Sequence, residues 1–422
     1  MKQKTYFKIK IELLSPLSIG DSNSSFADKD IIMNSREEPV IPATSIAGVF
    51  RSLESDTFTC KEIFGDVEIN TNVDSSIVSP ALESAVMFYD ARIVNKSEIS
   101  IRDGIKLNSN KTSETGAKYD YQIVETRAVF IGYIETRSKK ATDYVKAMLS
   151  IQISLGSKTT RGFGKVKISY CFKEFDLIKQ MEEWLDFDMF ENEAFDNKWI
   201  VPTYCNPTQI IRIKLKLKQK GGLSIRRYLT DVKRDSEEQP DYGPLTLKDN
   251  TPVIPGTSWA GMFKSQVVAL LGNSENNEDI NNAFGFVCEE EKTAQKSKVT
   301  FSESQLKGCT EKILVRNAID RFTNGTKDGA LYTEKTVYGG NCELEISIDT
   351  REWKVNKKVY KVENIIINAI LATIIGINFG FVAVGGLTAV GRGLFTIKNM
   401  EINGKTLDEV DYNKMKEAIY SA

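Results

Sequence analysis

Residues 39–51 read PVIPATSIAGVFR, and residues 252–264 read PVIPGTSWAGMFK. Two near-copies of so particular a string, 213 positions apart in a chain of 422 residues, mark an internal duplication. The correspondence continues in order along both halves. Phe64-Gly65 is echoed by Phe284-Gly285, and Arg102-Asp103-Gly104-Ile105 by Arg316-Asn317-Ala318-Ile319. Each of the latter opens a polar stretch that closes on Gly-Ala and then an aromatic residue, Tyr119 or Tyr332. The last pair is the glycine-rich run GSKTTRGFG at 156–164 and GGLTAVGRG at 385–393. Four motifs recurring in one order are not a chance event.

Around these motifs the hydrophobic pattern supplies the elements. Ile211, Ile213, Leu215 and Leu217 alternate with Arg212, Lys214, Lys216 and Lys218, so a strand with one core face and one basic face opens the second copy. Phe7, Ile9, Ile11 and Leu13 repeat the pattern more weakly in the first. After the Pro-Ala-Thr-Ser string, Ile46, Val49, Phe50 and Leu53 recur at helical spacing, with Thr44 and Ser45 (Thr257 and Ser258 in copy two) as expected N-cap residues. Tyr144, Met148 and Ile151 predict a second helix before the first glycine loop, and the apolar run from Ile365 takes that place before the second. A strand follows each loop, 165–168 or 394–397. The order strand, helix, strands, helix, loop, strand predicts an α+β protein of two tandem ferredoxin-like domains. Expected bounds are 1–173 for the first domain, 174–206 for an acidic helix and linker, and 207–422 for the second. The connecting segment is set apart by composition: from Glu174 to Asp196 it holds nine carboxylates and a single lysine, Lys179.

Composition restricts the chemistry. The net charge is −1, so any nucleic-acid contact must come from local patches such as Arg137 to Lys167. The six cysteines never fall at C-x-x-C spacing, which argues against zinc and against a secreted disulfide scaffold. MKQKTYFKIKIELL at the start lacks the apolar core of a signal peptide, and the run at 365–384 is interrupted by Asn368, Thr373, Asn378 and paired glycines. A cytoplasmic protein with no membrane span is therefore expected. There is no histidine, which removes histidine-dependent triads, zinc hydrolase sites and histidine-based ribonucleases. Catalysis here must use carboxylates, lysines or tyrosines, with or without a hard metal ion.

The ordered set of helix start, Arg-Asp-Gly-Ile or Arg-Asn-Ala-Ile-Asp, and Gly-x5-Gly-x-Gly resembles the RAMP superfamily of CRISPR-associated proteins, and in particular its seven-type backbone branch. The resemblance covers nearly the whole chain outside the acidic segment. It implies an RRM-like fold in each half, the polar insertion forming a thumb-like hairpin. It also implies guide RNA and complementary target RNA as ligands. The implied protein partners are further backbone subunits, a large polymerase-like subunit and small subunits of a type III effector complex. Backbone amides at a helix start and in a glycine loop suit phosphates. Expected RNA-binding residues are thus Thr44, Ser45, Arg51, Arg102, Lys158, Arg161, Gly162 and Gly164, with Thr257, Ser258, Lys264, Arg316, Gly391, Arg392 and Gly393 in copy two. One departure stands out: where the family's helix usually carries lysines after its cap, this chain has Ala47 and Val49, or Ala260 and Met262.

Active members of that branch place an aspartate before the Ile-Pro motif. Asp28 and Asp241 both lie 14 residues ahead of their prolines, Pro42 and Pro255, although the loop preceding the second is about seven residues longer. The resemblance implies these two as catalytic residues and as ligands of Mg2+ or Mn2+, aiding attack of a 2′-hydroxyl on its own phosphorus. Two other readings stand beside this one. A non-catalytic scaffold would cover guide RNA while another subunit cuts, and a guide-processing enzyme is disfavoured by the missing histidine.

Overall fold

Alternation builds both halves as expected. In the strand Gln3–Leu13, Phe7, Ile9, Ile11 and Leu13 are buried; in Ile210–Lys220, Ile211, Ile213, Leu215 and Leu217 are. Each of these first strands becomes the centre of an antiparallel sheet. The computed structural model describes residues 3–20, 27–54, 56–66, 82–107, 113–191, 193–196, 198–204, 209–228, 240–272, 277–288, 293–355 and 358–420. The chain forms two compact units, Met1–Gly104 with Lys118–Thr159 and Phe163–Asn206, and Ile105–Ala117 with Thr160–Gly162 and Pro207–Ala422.

In the first unit Gln3–Leu13 lies between Val129–Thr136 and Val166–Asp176, and Ala91–Ile93 continues the sheet outside Val129–Thr136. In the second, Ile210–Lys220 lies between Asn341–Asp349 and Leu394–Ile402, with Val299–Phe301 beyond the former. Counted along the chain, both sheets run fourth, first, third, second, which is the ferredoxin-like order. Two helices cover one face of each sheet. Ile46 and Phe50 of Ala43–Leu53 and Val145 and Leu149 of Lys139–Leu149 pack on Phe7, Ile9 and Ile11. Trp259 and Phe263 of Gly256–Leu271 and seven apolar side chains of Asn364–Phe379 do the same in the second unit. Burying each such side chain contributes about 1.5–3 kcal/mol.

The apolar run at 365 is therefore a core helix. Its 16 residues end at Gly380 in the left-handed conformation, and among the described residues no helix is long and apolar enough to cross a membrane. The first thumb-like insertion is two-stranded, Ile99–Leu107 pairing with Ser113–Val124; in the second, Thr310–Arg316 pairs with Tyr332–Tyr338, which continues into a five-stranded sheet through Gly222–Leu223 and Tyr242–Pro244.

Two local expectations are corrected. Thr44, Ser45, Thr257 and Ser258 do not cap their helices. The caps are Pro42 and Pro255, without a side-chain cap bond, so the Thr-Ser pairs lie inside the first turn. Proline at that place already sets the extended backbone from which the helix departs, and Asp90 Oδ1 accepts the Ala43 amide at 2.7 Å. Among its described residues, the acidic segment, in turn, holds only a five-residue helix, Met181–Leu185. The rest straps the outer face of the first sheet, where Tyr6, Cys171, Phe175, Leu177, Met189 and Phe195 make a second core with Trp184 and Phe187 packed against it. Trp184 Nε1 donates to the Tyr6 hydroxyl at 2.9 Å, and Lys4 lies over the Trp184 ring at 4.9 Å. Acidic and aromatic residues thus cover a face that carries Lys4, Lys8 and Lys10.

Candidate nucleic-acid interface

The glycine loops are built alike. The Ser157 amide donates to the Ser18 carbonyl at 2.7 Å, and the Gly386 amide to the Ser224 carbonyl at 2.8 Å. Gly164 donates to Pro16 and Gly393 to Gly222, each at 2.8 Å. Gly164 and Gly393 have φ of 70° and 76°, and a Cβ on either would overlap a carbonyl oxygen, that of Leu155 or Val384. Only glycine allows each loop to close on its strand. Lys158 and Leu387, at matching positions, both take φ of 55°, a left-handed conformation uncommon for such residues.

The loop aspartates are equally matched. Asp28 Oδ2 accepts the Asp120 amide at 2.9 Å, and Asp241 Oδ2 accepts the Thr333 amide at 2.8 Å; both pairs span 92 residues. Each carboxylate clasps its loop to the return strand of its insertion. Asp28 also donates its own amide to Asp120 Oδ1 at 2.7 Å, whereas the Asp241 amide goes to the Thr333 carbonyl at 2.9 Å. Asp28 is exposed and Asp241 half-buried. Among the described residues no group of three or more metal-ligating side chains converges. Asp28 with Asp120 nevertheless brings two carboxylates together, and one or two carboxylates completed by phosphate and water suit a magnesium ion. In copy two Thr333 stands where Asp120 does.

Behind the aspartates the copies part. In the second unit Glu334 is 2% exposed and gathers three arginines: Arg392 at 3.4 Å, Arg316 at 3.7 Å and Arg226 at 3.8 Å. Arg392 is itself 4% exposed and also donates to the Thr336 hydroxyl at 2.8 Å, so this expected RNA-binding residue is spent inside the protein. Arg226 also lies over the Tyr242 ring at 4.8 Å. In the first unit Arg102 is buried as well, with its guanidinium 5.5 Å from the Phe163 ring centroid. Lys158 places its ammonium 2.9 Å from the Tyr121 ring centroid and 4.7 Å from that of Tyr119. Burial, with Lys29 and Arg102 nearby, pulls its pKa from 10.5 to about 7.

The remaining candidates are dispersed. Thr44, Arg51, Thr257 and Gly391 are exposed, and Ser45, Ser258 and Lys264 are half-buried on the two first helices or the second loop. Arg161 and Gly162 belong with the second unit, and burial lowers the Arg161 pKa. Lys29, Asp120, Tyr121, Arg226 and Glu334 were not singled out from sequence. Aligning the halves at the aspartates would have paired Tyr121 with Glu334 and exposed the acid-for-tyrosine exchange.

The family profile described as "RAMPs: RAMP superfamily" matches residues 10–167 and 221–396. No curated protein sequence matches. Among solved structures, a chain of the type III-B Cmr-beta complex in its apo state is similar at 14% identity and a TM-score of 0.32, over 39% of this chain and 96% of that one. A chain of Cmr-beta bound to cognate target RNA is similar at 16% identity and a TM-score of 0.32, over 41% of this chain and 61% of that one.

Proposed function

Because this chain belongs to the RAMP superfamily, twice over along its length, we propose that it is a guide-RNA-binding backbone subunit of a type III CRISPR effector complex. In this reading it presents paired target RNA to Asp28 and Asp241 for cleavage. The observation that carries the reading is the twofold recurrence of one arrangement, an aspartate clasped at equal span to the insertion beside a glycine loop and a cationic cluster. A backbone protein that meets a repeating polymer needs its contacts in register, and a duplicated unit supplies two.

The chain's part in the reaction is positional. The insertions hold the target strand open so that a 2′-hydroxyl lies in line with its own phosphorus. The carboxylate of Asp28 or Asp241 takes up the proton or holds a Mg2+ or Mn2+ ion, with Asp120 as a second carboxylate in copy one. That ion, when bound, offsets charge on the scissile phosphate. Products would be a 2′,3′-cyclic phosphate and a 5′-hydroxyl.

The clasp also gives the scaffold reading an observation of its own, since an aspartate bonded to a backbone amide has a structural purpose. Asparagine separates the two, because its side-chain oxygen still accepts the amide but carries no charge. In the complex reconstituted with guide and target RNA, Asp28→Asn and Asp241→Asn should each remove one cut by about 100-fold or more. The double variant should remove both, with assembly unchanged on native gels. Cleavage by the double variant at the parent rate would leave the scaffold reading standing and remove the catalytic one.

A further inference from the structure

We propose that Arg226 is a catalytic residue of the second copy, its guanidinium meeting the scissile phosphate beside Asp241 and offsetting the charge that grows there during cleavage. The inference rests on the cleavage reading above and adds a substrate-contacting residue to one of the two sites.

Strand order puts Arg226 at that place. Arg226–Tyr228 pairs with Tyr242–Pro244, which meets Tyr332–Tyr338 in parallel through Tyr242 and Glu334. Asp241 directly precedes the middle strand, and it clasps the amide of Thr333, the residue directly before Glu334. The Arg226 guanidinium lies 4.8 Å over the Tyr242 ring and 3.8 Å from Glu334. Both of these neighbours are thus one residue away along the chain from the two ends of the Asp241 clasp.

The packing fixes the group and leaves part of it exposed. Nε donates to the Ser224 hydroxyl at 3.0 Å, and Nη2 faces Glu334, whose side chain is 2% exposed. Among the described residues the third nitrogen, Nη1, has no partner, and the side chain as a whole is 30% exposed. Glu334 is also, among the described residues, the only acid paired with Arg226, Arg316 and Arg392. One carboxylate opposite three guanidinium groups leaves two positive charges that it does not match. Of the three, Arg226 is the one that lies on the residue next to Asp241.

A guanidinium held in this way is oriented before charge arrives, which is what electrostatic catalysis requires. In the cleavage step the 2′-oxygen bonds to phosphorus as the bond to the 5′-oxygen breaks. The 2′-proton passes to the Asp241 carboxylate, and the 5′-oxygen takes a proton from water. Negative charge grows on the non-bridging oxygens meanwhile, and Arg226, which stays protonated throughout, donates to one of them. Copy one is built otherwise: Gly20 stands at the place of Arg226, and Lys29 follows Asp28 where Tyr242 follows Asp241. A change at Arg226 therefore touches one cut and not the other.

The test follows single-turnover cleavage of a labelled target in the complex reconstituted with guide RNA. Product length separates the two cuts, the copy-two cut being the one that Asp241→Asn abolishes. Arg226→Gln should slow that cut about 100-fold, and Arg226→Lys, which keeps the charge but not the planar fork, about tenfold. The Asp28-dependent cut should keep its parental rate in both, with assembly unchanged on native gels. The proposal is overturned if either variant makes the copy-two cut at the parental rate, if the two variants lose equally, or if both cuts slow together. Should Arg226→Gln fail to assemble, Arg226→Lys decides alone by the same comparison of cuts. A parent that makes no Asp241-dependent cut removes the catalytic reading first, and the role of Arg226 with it.

Discussion

Lys158 and Leu387 occupy one backbone conformation in two copies of one loop, so exchanging them is a controlled experiment in charge. The folded-state pKa of Lys158, about 7, lies below its ordinary 10.5. The unfolded chain therefore binds more protons between those values. The folded state is penalised in full below about pH 7, and the penalty fades as pH rises toward 10.5. Burial and the charges of Lys29 and Arg102 disfavour the ammonium, which lies over the rings of Tyr119 and Tyr121. Lys158→Leu is expected to stabilise the protein by about 1–2 kcal/mol at pH 6, discounted for partial solvent exposure, with the gain shrinking by pH 9.5. Urea denaturation at the two pH values measures it, and a gain independent of pH would show that packing and not charge is responsible. Sequence reading reached Lys158 and Arg392 as cations but not their opposite fates. The partner that decides for Arg392 is Glu334, 58 residues away, and no local pattern announces such a pair. The aspartate clasps were equally hidden, because their acceptor bonds end on backbone amides that every residue type carries.

At the scale of elements, the strands and the two covering helices of each half were legible because hydrophobic periods of two and of 3.6 register burial directly. Helix starts were less so. The Thr-Ser pairs have the right chemistry for a cap, yet the helices begin at the preceding proline, and in copy one an aspartate from another segment meets the first amide. The glycine loops repay their motif. Gly164→Ala should destabilise the first unit by about 3 kcal/mol or more, since a methyl group there meets the Leu155 carbonyl on a backbone already at φ 70°. Gly393→Ala should do the same through Val384, whereas alanine at Gly391, where a Cβ would meet nothing within 4 Å, costs only the left-handed backbone. Thermal unfolding of the three variants gives the ranking, and equal losses at Gly391 and Gly164 would contradict the overlap.

Across the whole molecule, the duplication and its order were visible at once, but the covering of the first sheet's outer face was not. Acidity and short apolar spacing at 174–196 suggested a helix and linker. The aromatic residues Trp184, Phe187 and Phe195 instead bring that segment onto the sheet, because open sheet area beside Tyr6 and Phe175 rewards ring burial more than five helical residues do. Changing Trp184 and Phe187 together to alanine should release the strap. Hydrogen exchange is then expected to quicken across 176–200 and along Gln3–Leu13, while Ile210–Lys220 keeps the parental rate. Unchanged exchange in the strap would mean that its backbone bridge between Tyr170 and Ile200 suffices to hold it.

The equal span of the two aspartate clasps reaches beyond chemistry. Matching residues stand 206 positions apart before the clasps, at Ser18 and Ser224, and 229 apart after them, at Gly156 and Gly385, yet 213 apart at both ends of each clasp. Length has drifted inside the enclosed stretch too, to 220 at Phe64 and Phe284 and 214 at Arg102 and Arg316, yet returns to 213 at its end. Residues 28–120 and 241–333 are therefore natural cassettes with interchangeable fittings, and a chimera that carries either one in both sockets inherits junctions the chain has already made once.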